Sequence, residues 1–157
     1  CNLQIISYAL FADRPDVADK IFERFRQHNI LQIEPDVSQP REIARTKSLS
    51  YSTMNHALML HIADLAASRG VDLHAFETED GRSLKKAFEF LKPYFSAPED
   101  WPYQQITEPN PNSDTLFYIL RRAHLLDASY DAETVLQEYH GEAYAGHRGR
   151  LYWPPVN

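Results

Sequence analysis

Leu49-Ser50-Tyr51-Ser52-Thr53-Met54-Asn55-His56-Ala57-Leu58-Met59-Leu60-His61-Ile62-Ala63-Asp64-Leu65-Ala66-Ala67-Ser68-Arg69 is the strongest helical pattern in the chain. Tyr51, Met54, Leu58, Ile62 and Leu65 recur at steps of three or four, the spacing that lines one stripe of an α-helix. Gly70 follows directly and can close a helix in a left-handed turn. The reading places Tyr51 at or near the helix start, on the stripe assigned to the core.

Immediately upstream, Gln39 to Tyr51 sets Arg41, Arg45 and Lys47 before that tyrosine, with Pro40 fixing the chain's entry. A phenol with an ordinary pKa of about 10 needs neighbouring positive charge to release a proton usefully near neutral pH. That makes a candidate acid/base site. The same residues also read as a solvated basic loop followed by a tyrosine whose ring packs on the core.

Working outward, Asn2 to Phe11 reads as the end of a buried helix, apolar at Leu3, Ile6, Ala9 and Leu10. Pro15 to Gln27 is its expected hairpin partner, with proline near its start and Val17, Ala18, Ile21, Phe22 and Phe25 inward. Between His28 and Pro40 the period breaks, and an extended, strand-like crossing loop is expected around Ile30 to Ile33. Beyond Gly70 a short connector leads to a helix opened by Asp80-Gly81, with Leu84, Ala87, Phe88 and Leu91 buried and Pro93 ending it.

The proline-rich stretch from Ala97 to Asn112 carries Trp101, Tyr103, Gln104 and Gln105. Such side chains can hold sugar rings, but a tryptophan between prolines reads first as a plug over helix ends. Ser113-Asp114 then opens a helix with Leu116, Phe117, Ile119, Leu120, Ala123 and Leu126 inward. Another helix runs from Asp131 through His140, and Tyr144 to Asn157 reads as an irregular tail. No boundary divides residues 1–157, which are expected to form a single domain.

Composition excludes several classes. With 43% hydrophobic and 24% charged residues, the 157-residue chain is an ordinary globule rather than a disordered or fibrous one. No run of about 18 apolar residues predicts a membrane span. The single Cys1 allows no internal disulfide and is expected to pack as a small apolar residue. Of seven histidines, His56 and His61 are five apart and the rest scattered, so no pair has close helical ligand spacing. Neither a metal nor any other cofactor is expected, and His56 and His61 read as surface or hydrogen-bonded structural residues. Nucleic acid is a poor fit for a chain of net charge −6 without a recognition motif. The same charge opposes long-range steering of a polyanion, although screening beyond about 8–10 Å leaves a local basic groove effective.

The segments Glu34-Pro35-Asp36, Ser38-Gln39-Pro40 and Glu42 to Ser52, followed in order by Gly70 to Leu73, Asp80 to Ala87 and Trp101 to Ile106, resemble the alginate lyase family of polysaccharide lyases. The resemblance covers nearly the whole chain. It implies an all-α fold, an incomplete (α/α) toroid built of antiparallel helix hairpins. In that family an Asn-Asn-His-Gly-type segment supplies an asparagine that neutralises the uronate carboxylate and a histidine that can act as base. It should end just before Asn2. The chain starts at Cys1, so it is expected to be the C-terminal part of a lyase domain and a poor catalyst alone.

The implied reaction is β-elimination on 1,4-linked uronate polymers such as alginate, in the periplasm or outside the cell. On the resemblance, Tyr51 matches the family's catalytic tyrosine and Arg45 its carboxylate-binding arginine. Lys47, Arg41 and Gln39 are weaker substrate-binding candidates. The expected partner is an acidic polysaccharide, without nucleic acid or membrane. The alternative is a non-catalytic helical module that binds acidic polysaccharide, and a purely structural helical domain is the third possibility.

Overall fold

A computed structural model describes residues 2–108 and 113–155. Cys1, with its expected apolar packing, the end of the proline-rich stretch at 109–112 and the tail residues 156–157 lie outside the described residues. Helix α1 (Asn2–Phe11) turns back into α2 (Pro15–Arg24) through three residues. Asp13 takes a left-handed conformation there (φ 53°), so that Arg14 N–H reaches the Ala9 carbonyl at 2.7 Å and Asp13 N–H that of Leu10 at 3.2 Å. Ile6, Ala18 and Phe22 are sealed between the two helices and the body, as the spacing predicts.

The crossing loop differs from expectation. Instead of an extended strand, α2 runs into a π turn (Phe25–Asn29) and a 3-10 turn (Ile30–Gln32). Helical turns bury Phe25, Ile30 and Ile33 without asking a lone strand to leave its backbone groups unpaired. The chain then reverses through Glu34 to Ser38, where Val37 has φ 65°, an unusual position for a β-branched side chain. Short helix α3 (Pro40–Ile43) follows.

The central helix α4 (Ser48–Ala67) packs against α1, α2 and α3 and also against α5 (Leu84–Leu91) and α7 (Asp114–Arg122). Gly70 ends it with φ 76°, Val71 N–H bonding the Ala66 carbonyl and Gly70 N–H that of Ala67. Its buried arc is broader than the predicted stripe and displaced from it. Ile62 is buried, but Met54 is 44% exposed, and Tyr51, Leu58 and Leu65 are only half-buried. The sealed positions include Ser52, Ala57, Ala63 and Ala66, because packing from both sides favours small residues where helices approach, and a pattern of large apolar side chains overlooks them.

His56 lies on this arc, fully buried beside Phe88, and neither ring nitrogen has a hydrogen-bond partner. It is therefore not the surface or bonded histidine expected. Burial pushes its pKa down to about 3, so it is uncharged near neutral pH. His61 stacks on Tyr118 with ring centres 3.7 Å apart.

Helix α5 begins at Leu84 with Ser83 as its cap, while Asp80 stays in the turn before it, holding Thr78 and Arg82. A further turn, α6 (Pro93–Ser96), starts at the proline that ends α5. Helices α7 and α8 (Ala132–His140) pair, with Asp131 capping α8 through Thr134 N–H. The tail is more ordered than predicted. A 3-10 turn (Gly141–Gly146) and α9 (Gly149–Tyr152) fold back, and a Cβ at Gly149 would lie 2.5 Å from Phe117. Glycine is what allows this close approach.

Asp64 joins three of these elements. It accepts from His74 Nε2 in the connector at 3.0 Å, and from the Tyr118 hydroxyl and Arg122 Nε of α7 at 2.8 Å each. Among the described residues there are helices, turns and two isolated bridges (Lys47 with Gln105, Glu77 with Ser83), but no strand, and no helix long and apolar enough to cross a membrane.

Candidate functional site

The segment from α3 into α4 brings Arg45 and Tyr51 together. The Arg45 guanidinium carbon sits over the Tyr51 ring, 3.4 Å from its centre, so the cation lies on the negative face of the π system. Tyr51 is half-buried, Arg45 is exposed, and Glu42 holds the guanidinium from one side at 3.6 Å. The arginine thus covers the ring and leaves guanidinium N–H groups for a carboxylate.

The other candidates are placed differently. Lys47 sits at the very start of α4 and forms no ion pair among the described residues. Arg41, on α3, faces a separate polar cleft. Gln39 is only 1% exposed. Its amide donates to the Ser52 carbonyl at 3.4 Å and accepts from Asn55 Nδ2 at 2.9 Å, so it supports the site from below.

What fixes the start of α4 comes from far along the chain. Lys47 occupies the cap position and offers no capping side chain. Gln105 Oε1 takes that role, accepting from Leu49 and Ser50 N–H at 3.1 and 3.5 Å, while its Nε2 donates to Ser50 Oγ and the Thr107 carbonyl. Backbone bonds reinforce it, from Ser48 N–H to the Gln104 carbonyl and from Ile106 N–H to the Thr46 carbonyl, both 3.0 Å. Trp101 Nε1 donates to Ser48 Oγ at 2.7 Å, and the indole is wedged among Phe90, Tyr94 and Tyr103. The plug reading of Trp101 therefore holds. Gln105's role was invisible locally, although a long helix with lysine rather than Ser, Thr, Asp or Asn at its cap position signals that a cap must come from elsewhere.

Replacing Gln105 with leucine should cost about 1–2 kcal/mol in thermal melts, the range for losing a helix cap. Gln105→Glu keeps the acceptor and suits the positive end of the helix, so it should recover most of the stability. Equal melting of wild type and Gln105→Leu would remove the bracing role.

The comparisons with known proteins bear on the family and the fold. The alginate lyase family model matches residues 1–101. The fold also matches the crystal structure of an alginate lyase from Bacteroides ovatus with a TM-score of 0.85 and 34% identity, over 97% of this chain and 40% of that one. No curated protein matches. The chain belongs to the alginate lyase family. Its all-α architecture is that of an (α/α) toroid, as expected, and it spans 40% of the length of the solved relative.

Proposed function

We propose that the protein serves β-elimination on a 1,4-linked, alginate-like uronate polymer, with Tyr51 and Arg45 as working residues. The single observation behind this is the guanidinium stacked on a half-exposed phenol at the braced start of α4. In the reaction a base, the histidine that the family resemblance implies, takes the C5 proton; the C5–H electron pair forms the C4–C5 double bond as the C4–O4 bond breaks and its pair leaves with O4, which takes up a proton. Tyr51 is the donor to O4, and Arg45 binds the carboxylate whose charge grows as C5 is deprotonated. Acting on such a polymer places the enzyme in the periplasm or outside the cell.

The test is to incubate the full-length protein that carries this chain with alginate and follow the ultraviolet absorbance of the unsaturated product ends. Arg45→Ala should lower the rate by about 10²-fold or more, the effect of removing one donor from a preorganised anion site, and Arg45→Lys should recover only part of it. Undiminished turnover in Arg45→Ala would defeat the proposed role of the arginine. Tight binding of the polymer without any product would favour the non-catalytic module.

A further inference from the structure

A second cationic feature lies at the start of α3. The end of α2, the turns after it and the start of α3 enclose a cleft of about 540 Å3, within the usual range of about 300–1,000 Å3 for small-ligand sites. Arg24, His28 and Arg41 line it with the amide of Asn29, while Leu31 and Pro40 contribute apolar surface. Neither Arg24 nor Arg41 forms an ion pair among the described residues.

Among the described residues the one carboxylate lining it is that of Glu34, and Arg82 Nη1 approaches it at 3.6 Å. Arg82 also donates to the Leu31 and Ile33 carbonyls at 3.2 and 3.1 Å, fixing that wall. Across the cleft, Asn2 Nδ2 donates to Asn29 Oδ1 at 3.0 Å, which leaves the Asn29 amide N–H groups to donate elsewhere. In a protein of net charge −6 this is a local surplus of positive charge with amide donors and a small apolar surface.

We infer that this cleft is an additional subsite for a uronate unit of the polymer. Arg24 and Arg41 bind the carboxylate, Asn29 and His28 bind ring hydroxyls, and the apolar face of the sugar lies on Leu31 and Pro40. The inference rests on the proposed function for its choice of ligand, and the layout of α3 supports it. Arg41 lines the cleft and Arg45, just past the end of α3, lies on Tyr51; four residues span at most about 14 Å, so one chain of sugars can meet both. A small inorganic anion would need the two arginines but not the amide or the apolar wall.

The experiment uses the whole protein carrying Tyr51→Phe, so that ligand is not consumed, and a mannuronate tetrasaccharide as probe in titration calorimetry. Arg24→Gln should weaken binding about tenfold, the effect of losing one charge-assisted contact, and adding Arg41→Gln should weaken it further. A neutral tetrasaccharide should not bind, and inorganic phosphate at equal concentration should not displace the uronate. Unchanged affinity in the double variant, absence of tetrasaccharide binding, or complete displacement by phosphate would each overturn the subsite. Because binding is read without turnover, the two ideas fail separately. Weakened tetrasaccharide binding, together with no product from the full-length protein that keeps Tyr51, leaves the subsite standing and the lyase reading fallen, and product formation by that protein with affinity unmoved by both arginine substitutions does the reverse.

Discussion

Tyr51→Phe should reduce release of unsaturated uronate ends by about 10²- to 10⁴-fold, the range for losing a positioned general acid. The substitution is informative because it changes so little else. Phenylalanine keeps the ring, and Arg45 can still lie over its face as it does over Tyr51 at 3.4 Å. No hydrogen bond from the Tyr51 hydroxyl to another described residue would be lost, so melting should move by no more than about 0.5 kcal/mol. Oligouronate affinity should also stay near that of wild type, since Arg45 remains. A large fall in turnover at constant stability and constant binding is the signature of chemistry at the hydroxyl. A variant that turns over alginate as wild type does would eliminate Tyr51 as the proton donor, and one that loses binding and stability in step would make it a structural residue.

The second large effect is expected at Asp64, remote from Tyr51. Burial alone would raise this carboxyl's pKa, but hydrogen bonds from His74, Arg122 and Tyr118, together with the Arg122 charge, hold it down at about 2. Burial and the neighbouring Asp64 carboxylate in turn push the Tyr118 hydroxyl up. Asp64→Ala would leave a guanidinium, an imidazole and a phenol without their shared acceptor. Breaking a buried pair in this way costs up to about 3–5 kcal/mol, and with the Asp64 side chain still 25% exposed the lower figure of about 2–3 kcal/mol is expected.

The pH dependence follows from the direction of the Asp64 shift. Its folded pKa lies below the ordinary carboxylate value, so its contribution is fully present above about pH 4 and is lost as the pH falls through about 2. The wild type should therefore lose about 2 kcal/mol more than Asp64→Ala between these limits in denaturant titrations. Parallel profiles for the two proteins would show that the network contributes nothing.

The helices were legible because their large apolar residues repeat and their ends are punctuated. Gly70, Pro15, Pro93 and Asp131 act where the pattern places them. The buried arc of α4 was misjudged because alanine and serine mark close helix contacts that a stripe of large residues does not reveal. His56 was misjudged for a related reason, since a histidine's burial depends on which side neighbours arrive from. The pairing of Arg45 with Tyr51 was readable from their closeness in sequence and the family resemblance. Gln39 looked like a ligand contact but is spent inside, and Gln105 and the Arg24 cleft depend on contacts between distant segments, where local pattern carries no information.

The bond between Gln105 and the first turn of α4 spans 56 residues, and that distance has a consequence during synthesis. A ribosome delivers the tyrosine well before the amide that will brace it, so the helix start stays frayed while the next stretch of polypeptide is made. The start of α4 is therefore assembled late, when the loop bearing Trp101 and Gln105 emerges and docks. A stall or nick before that loop would yield a chain with most of its helices formed and its reactive end still undefined.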